Sequence, residues 1–162
     1  MAKAREIPGL SGEDPYGAAA AKVVEVRAQE LAEQAAGVLD VGDIERVHDM
    51  RVASRRLRAA LEIFEPCFPR KRFRAALDEV KALADALGER RDRDVAIASL
   101  EHFAAGLPAP DRPGVGSLVD RLRAEQASAN EVLTPYVSRD HLEGISERLA
   151  ELVSEARATA TR

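Results

Sequence analysis

Apolar residues recur at helical spacing through most of this 162-residue chain, and this periodicity limits the possible folds more than any other feature. In the segment RKRFRAALDEVKALADAL, one side of a helix with about 3.6 residues per turn carries Phe73, Leu77, Val80, Ala84 and Leu87. No stretch of useful length alternates apolar and polar residues as a half-buried strand would. Alanine, leucine, glutamate and arginine, which all favour helices, dominate the composition. The sequence therefore predicts an all-α protein.

Turn-forming residues divide the periodic segments into six predicted helices, which we expect to pack as one helical bundle. The predicted helices span about residues 18–39, 44–64, 70–87, 92–104 (or 94–104), 118–136 and 140–158. Asp43 is the expected N-cap of the second helix, which the prolines of EPCFP end. Gly88 is the expected stop of the third helix, so that GERRDRD forms a connection. AAGLPAPDRPGVGS is a predicted loop, residues 1–16 a flexible lead, and residues 17–160 a single domain.

The cellular compartment is indicated by features that the sequence lacks. No segment reaches the roughly 20 apolar residues that a membrane span needs. The opening MAKAREIPGLSGEDPYG contains no apolar region typical of a signal peptide. Cys67 is the only cysteine, so no internal disulfide can form. These features predict a cytoplasmic protein without a membrane partner.

Positive charge is concentrated in one part of an acidic chain. The formal net charge is −4, yet residues 46–93 contain 13 Lys and Arg against 8 Asp and Glu, a net charge of +5. The rest of the chain carries −9. An acidic surface discourages indiscriminate binding to polyanions, while a basic patch can still bind a specific one.

The segment VHDMRVASRRLR, within the second predicted helix, forms a basic stripe. At about 100° per residue, about a quarter of the helix circumference carries His48, Arg51, Arg55 and Arg58. Arg56 falls outside this stripe. Neighbouring like charges destabilise a helix by about 0.2–0.5 kcal/mol per pair. Something outside the helix should therefore neutralise the stripe.

Two interpretations of the stripe are open. It is either a solvated face whose arginines pair with acids, or a surface that binds several phosphates in a row. Glu62, four residues after Arg58, is positioned for pairing, and Asp92 and Asp94 are further candidates. Arginine suits phosphate because its planar guanidinium binds two oxygens at once and stays charged at physiological pH. His48 is either a histidine bonded to backbone or an anion ligand whose charge grows as pH falls.

Two segments resemble motifs of the CHAD family, the conserved-histidine α-helical domain that binds inorganic polyphosphate. VHDMRVASRRLRAALEIFEPCFP is similar to the family's His-x-x-Arg-Val-x-x-Arg-Arg-Leu-Arg helix with its following phenylalanine and proline. VKALADALGERRDRDV is similar to its Leu-Gly-x-x-Arg-Asp-x-Asp-Val turn, and the two occur in the expected order and separation. The resemblance implies a helical bundle with an internal pseudo-twofold axis and a central basic channel that holds polyphosphate.

The resemblance assigns a binding role to residues of the second and third predicted helices and of the turn that follows. Matched position by position, the polyphosphate-binding residues would be His48, Arg51, Arg55, Arg56, Arg58, Lys81 and Arg91. Lys71 and Arg74 are secondary candidates on the polar side of the third helix. Asp92 and Asp94 would orient arginines and cap the fourth helix instead of contacting the anion.

The chain resembles only the first half of a full CHAD domain. The family's second histidine-bearing basic helix has no counterpart after residue 110, where His141 lies beside acids. We therefore expect either a homodimer, in which twofold pairing rebuilds the internal symmetry, or an open half-channel.

Catalysis is not expected. The three histidines are far apart in sequence and no group has zinc-ligand spacing, so no catalytic residue, metal or cofactor is predicted. The Glu-x-Glu-x-Lys motif of the triphosphate-processing enzymes often fused to this domain is absent. The leading prediction is a non-enzymatic polyphosphate-binding module, targeted to polyphosphate granules. The alternatives are a nucleic-acid-binding helical protein, against which the acidic charge and few aromatics count, and a structural helical dimer with interfacial arginines.

Overall fold

The computed structural model describes residues 3–160, which form a bundle of five α-helices. The helices are α1 (Tyr16–Glu33), α2 (Ile44–Ile63), α3 (Arg70–Ala105), α4 (Arg112–Leu133) and α5 (Arg139–Ala160). Short 3-10 turns follow α2, α3 and α4, at Glu65–Cys67, Ala109–Asp111 and Thr134–Val137. Between residues 3 and 160 no strand forms, and none of the helices there combines the length and the apolar character that a membrane span requires. The all-α prediction is confirmed, with five α-helices instead of six.

The predicted third and fourth helices are one continuous helix, α3, of 36 residues, and the predicted stop at Gly88 is wrong. Glycine typically ends a helix by adopting a left-handed conformation, and in residues 3–160 only Gly9 and Gly37 have a positive φ. The predicted connection is held helical by Arg90 and Asp94, fully buried one turn apart with 3.0 Å between Nε and Oδ1. This packing outweighs the helix-propensity cost of glycine, about 1 kcal/mol.

Two other helix boundaries differ from the prediction. Helix α1 ends at Glu33, six residues early, and the chain then turns through Gly37, whose φ is +71°. Helix α4 begins at Arg112 instead of near residue 118, so the second half of the predicted loop is helical. Pro113 lies in its first turn, where the missing N–H is not needed by the helix. Local turn chemistry therefore set these ends more than apolar periodicity did.

The main hydrophobic core lies between α1, α2, the first half of α3 and α5. Its largest fully buried members include Val24, Met50, Leu57, Leu61, Leu83, Leu149 and Leu152. Along the chain this core ends at Leu87 of α3 and resumes at Leu133, the last residue of α4. The segment between these two leucines is therefore a helical hairpin that packs mainly on itself.

A buried polar cluster joins the two helices of this hairpin. Asp94 Oδ1 accepts hydrogen bonds from Arg90 Nε, at 3.0 Å, and from Gln126 Nε2 of α4, at 2.5 Å. Arg90 Nη1 donates to Asn130 Oδ1 at 2.5 Å, and the Asn130 amide donates to the backbone oxygen of Leu39 at 2.9 Å. Asp94 thus orients an arginine, as expected, but it does so inside a continuous helix and caps nothing.

Residues 3–15 run beside α1 and are bonded to it. The backbone N–H of Arg5 donates to Glu30 Oε1 at 2.6 Å. Lys22 Nζ lies 2.8 Å from Asp14 Oδ2 and 2.5 Å from the Gly9 oxygen. The hydrogen bond from Lys22, together with one from a backbone N–H, lowers the pKa of the Asp14 carboxyl. The segment predicted as a lead is thus linked to α1 by charged and backbone contacts.

Candidate anion-binding site

The basic stripe predicted from sequence lies on one side of α2, facing away from the core. His48 and Arg51 are half-buried, while Arg55 and Arg58 are exposed. The opposite side of the helix is anchored in the core by Met50, Leu57 and Leu61, which are fully buried. Because that anchor fixes the rotation of α2, the four basic side chains share the outer surface of the bundle.

Helix α3 runs antiparallel to α2 and approaches the stripe at Gly88. A Cβ at Gly88 would lie 3.6 Å from Nε of Arg51, so the Arg51 side chain passes directly over this glycine. The absence of a side chain at Gly88 leaves room for the guanidinium between the two helices. Gly88 is therefore part of the site geometry, and its predicted role as a helix stop gave no indication of this.

The central arginines of the stripe have no acidic partner. Neither the Arg51 nor the Arg55 guanidinium forms an ion pair or hydrogen bond within residues 3–160. Asp94, one of the acids considered as a partner, is instead buried with Arg90, and Asp92 is exposed on α3. The salt-bridge interpretation therefore fails for the middle of the stripe.

One end of the stripe is neutralised by a carboxylate that links two helices. Glu62 Oε1 lies 3.0 Å from Nε of Arg58, as the four-residue spacing predicted. The same oxygen lies 3.8 Å from Nζ of Lys81 on α3. The three side chains are between 39% and 45% exposed, so the cluster is open to solvent. The structure thus brings Arg58 and Lys81 together around one anionic group.

Arg91 lies at the other end of the site, beside the first turn of α2. Its Nη1 donates to the backbone oxygen of Ile44 at 3.0 Å, and its Nη2 lies 3.5 Å from Glu45 Oε1. Only 16% of the side chain is exposed. These contacts fasten α3 to the first turn of α2, so Arg91 has a structural role in addition to the binding role predicted for it.

Basic residues also recur along the face of α3 that carries Gly88. Arg74, Lys81 and Gly88 are seven residues apart, which on a helix is two turns and the same side. Arg74 therefore continues the line of Lys81 toward the start of α3, while Lys71, also exposed, lies off this line. We call the surface formed by Arg51, Arg55, Arg58, Arg74 and Lys81 the α2–α3 basic face.

Arg56 is placed away from the basic face, toward α1. There its charge is one of the influences on the pKa of Glu30, a residue that is only 6% exposed. Burial raises the pKa of Glu30, but the N–H of Arg5 and the hydrogen bond and charge of Arg27 outweigh it, and Arg56 adds to the lowering. The structure therefore connects Arg56 with the α1–α2 contact and does not bring it to the other six predicted residues.

The first turns of α2 hold a group of side chains that sequence spacing had not indicated. Glu45, His48 and Asp49 each offer one potential ligand atom, and these atoms lie within 4.8 Å of one another. A spacing of i, i+3 and i+4 on one helix is the signal that could have found them. Such a set can hold a divalent cation, although Arg91 competes for the Glu45 carboxylate.

Comparison with known proteins gives one family. A search of the curated proteins found no significant match to this chain. The family model described as CHAD domain matches residues 22–162, a region that contains all five helices except the first residues of α1. The match includes both segments on which the resemblance was based and every residue of the α2–α3 basic face. The chain therefore belongs to the CHAD domain family.

Proposed function

We propose that this chain binds inorganic polyphosphate on the α2–α3 basic face and catalyses no reaction. The observation that carries the proposal is the pair Arg51 and Arg55, two neighbouring guanidinium groups without an anionic partner among residues 3–160. Like charges at this spacing destabilise the free helix, so a bound anion relieves a cost that the fold otherwise carries. Family membership supports a polyphosphate-related domain.

The geometry suits a linear ligand better than a compact one. From His48 to Arg58 the helix rises about 15 Å, at about 1.5 Å per residue, so a single phosphate can contact only part of the stripe. A chain of phosphates can contact the arginines of α2 in succession and Lys81 from α3 at the same time. Each contact releases condensed counterions, which makes the affinity strongly dependent on salt.

The test is calorimetric titration of the full chain with long-chain polyphosphate over a series of salt concentrations. The wild type is compared with an Arg51→Ala/Arg55→Ala variant, which should still fold because both side chains lack partners in the described chain. Loss of two charge-assisted contacts should weaken binding by about tenfold or more and reduce the salt slope by about two.

The matched control is Arg121→Ala/Arg139→Ala, which removes the same charge from side chains that are 77% and 88% exposed on α4 and α5. This control should retain most of the wild-type affinity. Absence of binding by folded wild type at low salt would overturn the proposal. Equal competition by duplex DNA would favour the nucleic-acid alternative, and loss of folding in the Arg51/Arg55 variant would favour a structural role.

We also propose that two chains pair as a homodimer in the cytoplasm and associate with polyphosphate granules. The support for pairing is the presence of exposed apolar side chains on the hairpin half of α3, where Val95 is 47% and Phe103 58% exposed. Light scattering should give the mass of a dimer, and Phe103→Glu should lower it to that of one chain. A wild-type monomer at all accessible concentrations would contradict the pairing.

A further inference from the structure

The Glu62 carboxylate lies between two cations that a bound chain of phosphates would also contact. Its Oε1 contacts Nε of Arg58 at 3.0 Å and lies 3.8 Å from Nζ of Lys81. The two cations come from different helices, α2 and α3, and one oxygen atom joins them. The carboxylate accepts a hydrogen bond from Arg58 and lies within ion-pair distance of Lys81, the same two cations that a phosphate oxygen would contact.

The rest of the basic face differs from this end. The guanidinium groups of Arg51 and Arg55 have no anionic partner in the described chain, so a ligand meets them directly. At Arg58 and Lys81 it meets a position that an internal anion already occupies. Because the Glu62 side chain is 45% exposed, it can rotate into solvent without disturbing the buried side of α2.

We propose that Glu62 is an internal competitor of the ligand, which a bound phosphate chain displaces from the subsite between Arg58 and Lys81. The inference rests on the proposed function and adds a residue that limits affinity. An intramolecular carboxylate has an effective concentration in about the millimolar range, so a free phosphate group competes with it poorly. A chain already held at Arg51 and Arg55 presents its next phosphates at a comparable local concentration and can replace it.

The test compares Glu62→Gln with the matched control Glu65→Gln. Both variants remove one negative charge from an exposed position, Glu62 in the last turn of α2 and Glu65 in the 3-10 turn that follows, but no cation of the described chain contacts Glu65. Titration with long-chain polyphosphate at moderate salt should show binding tightened about two- to fivefold by Glu62→Gln. Glu65→Gln should change the affinity less than twofold, because salt screens a charge that makes no contact.

A double-mutant cycle with Lys81→Ala separates displacement from a general charge effect. If Glu62 occupies the subsite, removal of Lys81 should weaken binding at least twofold more in the Glu62→Gln background than in the wild type. Far-UV circular dichroism checks that each variant is folded. Equal affinities of the Glu62→Gln and Glu65→Gln variants, or independent effects of Glu62 and Lys81, would refute the displacement while leaving polyphosphate binding intact. Failure of the wild type to bind would instead remove the proposed function itself.

Discussion

Replacement of Gly88 by alanine is a direct test of how α3 is built. The residue lies within a continuous 36-residue helix, and it has no positive φ. A Cβ added there would be 3.6 Å from Nε of Arg51, an ordinary van der Waals distance. Alanine therefore fits without displacing its neighbour and gains helix propensity.

The expected size of the effect follows from the backbone alone. Glycine in a helix interior is less favourable than alanine by about 0.5–1 kcal/mol, partly because glycine loses more freedom on folding. We expect Gly88→Ala to raise the free energy of unfolding by that amount, which for a chain of this size corresponds to about 1–4 °C in Tm. Urea and thermal denaturation followed by far-UV circular dichroism measure both quantities.

The sign of the change decides between two structures. If Gly88 ended a helix in the left-handed conformation, as the sequence alone suggests, alanine would be strained there and would destabilise the protein. A decrease in stability would therefore refute the continuous helix. A larger side chain at this position provides a second test. Gly88→Leu should fill the space beneath Arg51 and so weaken the proposed polyphosphate binding, while the helix remains intact.

Three further predictions concern stability and reactivity. Asp94→Ala should lower the free energy of unfolding by about 3–5 kcal/mol in urea titrations, because it leaves the fully buried Arg90 without its carboxylate. Glu30→Gln should destabilise the protein near neutral pH. Because the folded-state pKa of Glu30 is below its ordinary value of 4.5, the difference in Tm from wild type should shrink as pH falls from that value through the folded-state pKa. Burial raises the pKa of the Cys67 thiol, so a disulfide reagent near neutral pH should label the folded protein more slowly than the protein in urea.

Local spacing was sufficient to predict the basic stripe. The side on which His48, Arg51, Arg55 and Arg58 lie depends only on the helical repeat and on which residues of α2 are buried. The Arg58–Glu62 pair was predictable for the same reason, since a four-residue separation places both on one surface. The fold class followed from the same periodicity, which extends through all five helices.

Contacts between different helices could not be predicted from the spacing of residues along the sequence. Nothing near Glu62 in the sequence indicates that Lys81 lies 3.8 Å from its carboxylate, because that distance depends on how α2 packs on α3. The error at Gly88 has the same origin. A glycine before a charged stretch is typical of a helix end, and only the burial of Arg90 and Asp94 against α4 keeps the helix continuous.

The continuity of α3 bears directly on how the basic face can act. The single helix α3 carries Lys81 and Gly88, where the missing side chain leaves room for Arg51. Three residues after Gly88, Arg91 donates a hydrogen bond to the backbone oxygen of Ile44 at the start of α2. The face therefore joins two helices that are fixed to each other at the Arg91 end and by the core beneath. A ligand that contacts both helices does not have to order them, so little of its binding energy is spent on immobilising the protein. Unpaired arginines on such a preorganised surface are costly in the free protein, and the proposed ligand would relieve that cost on binding.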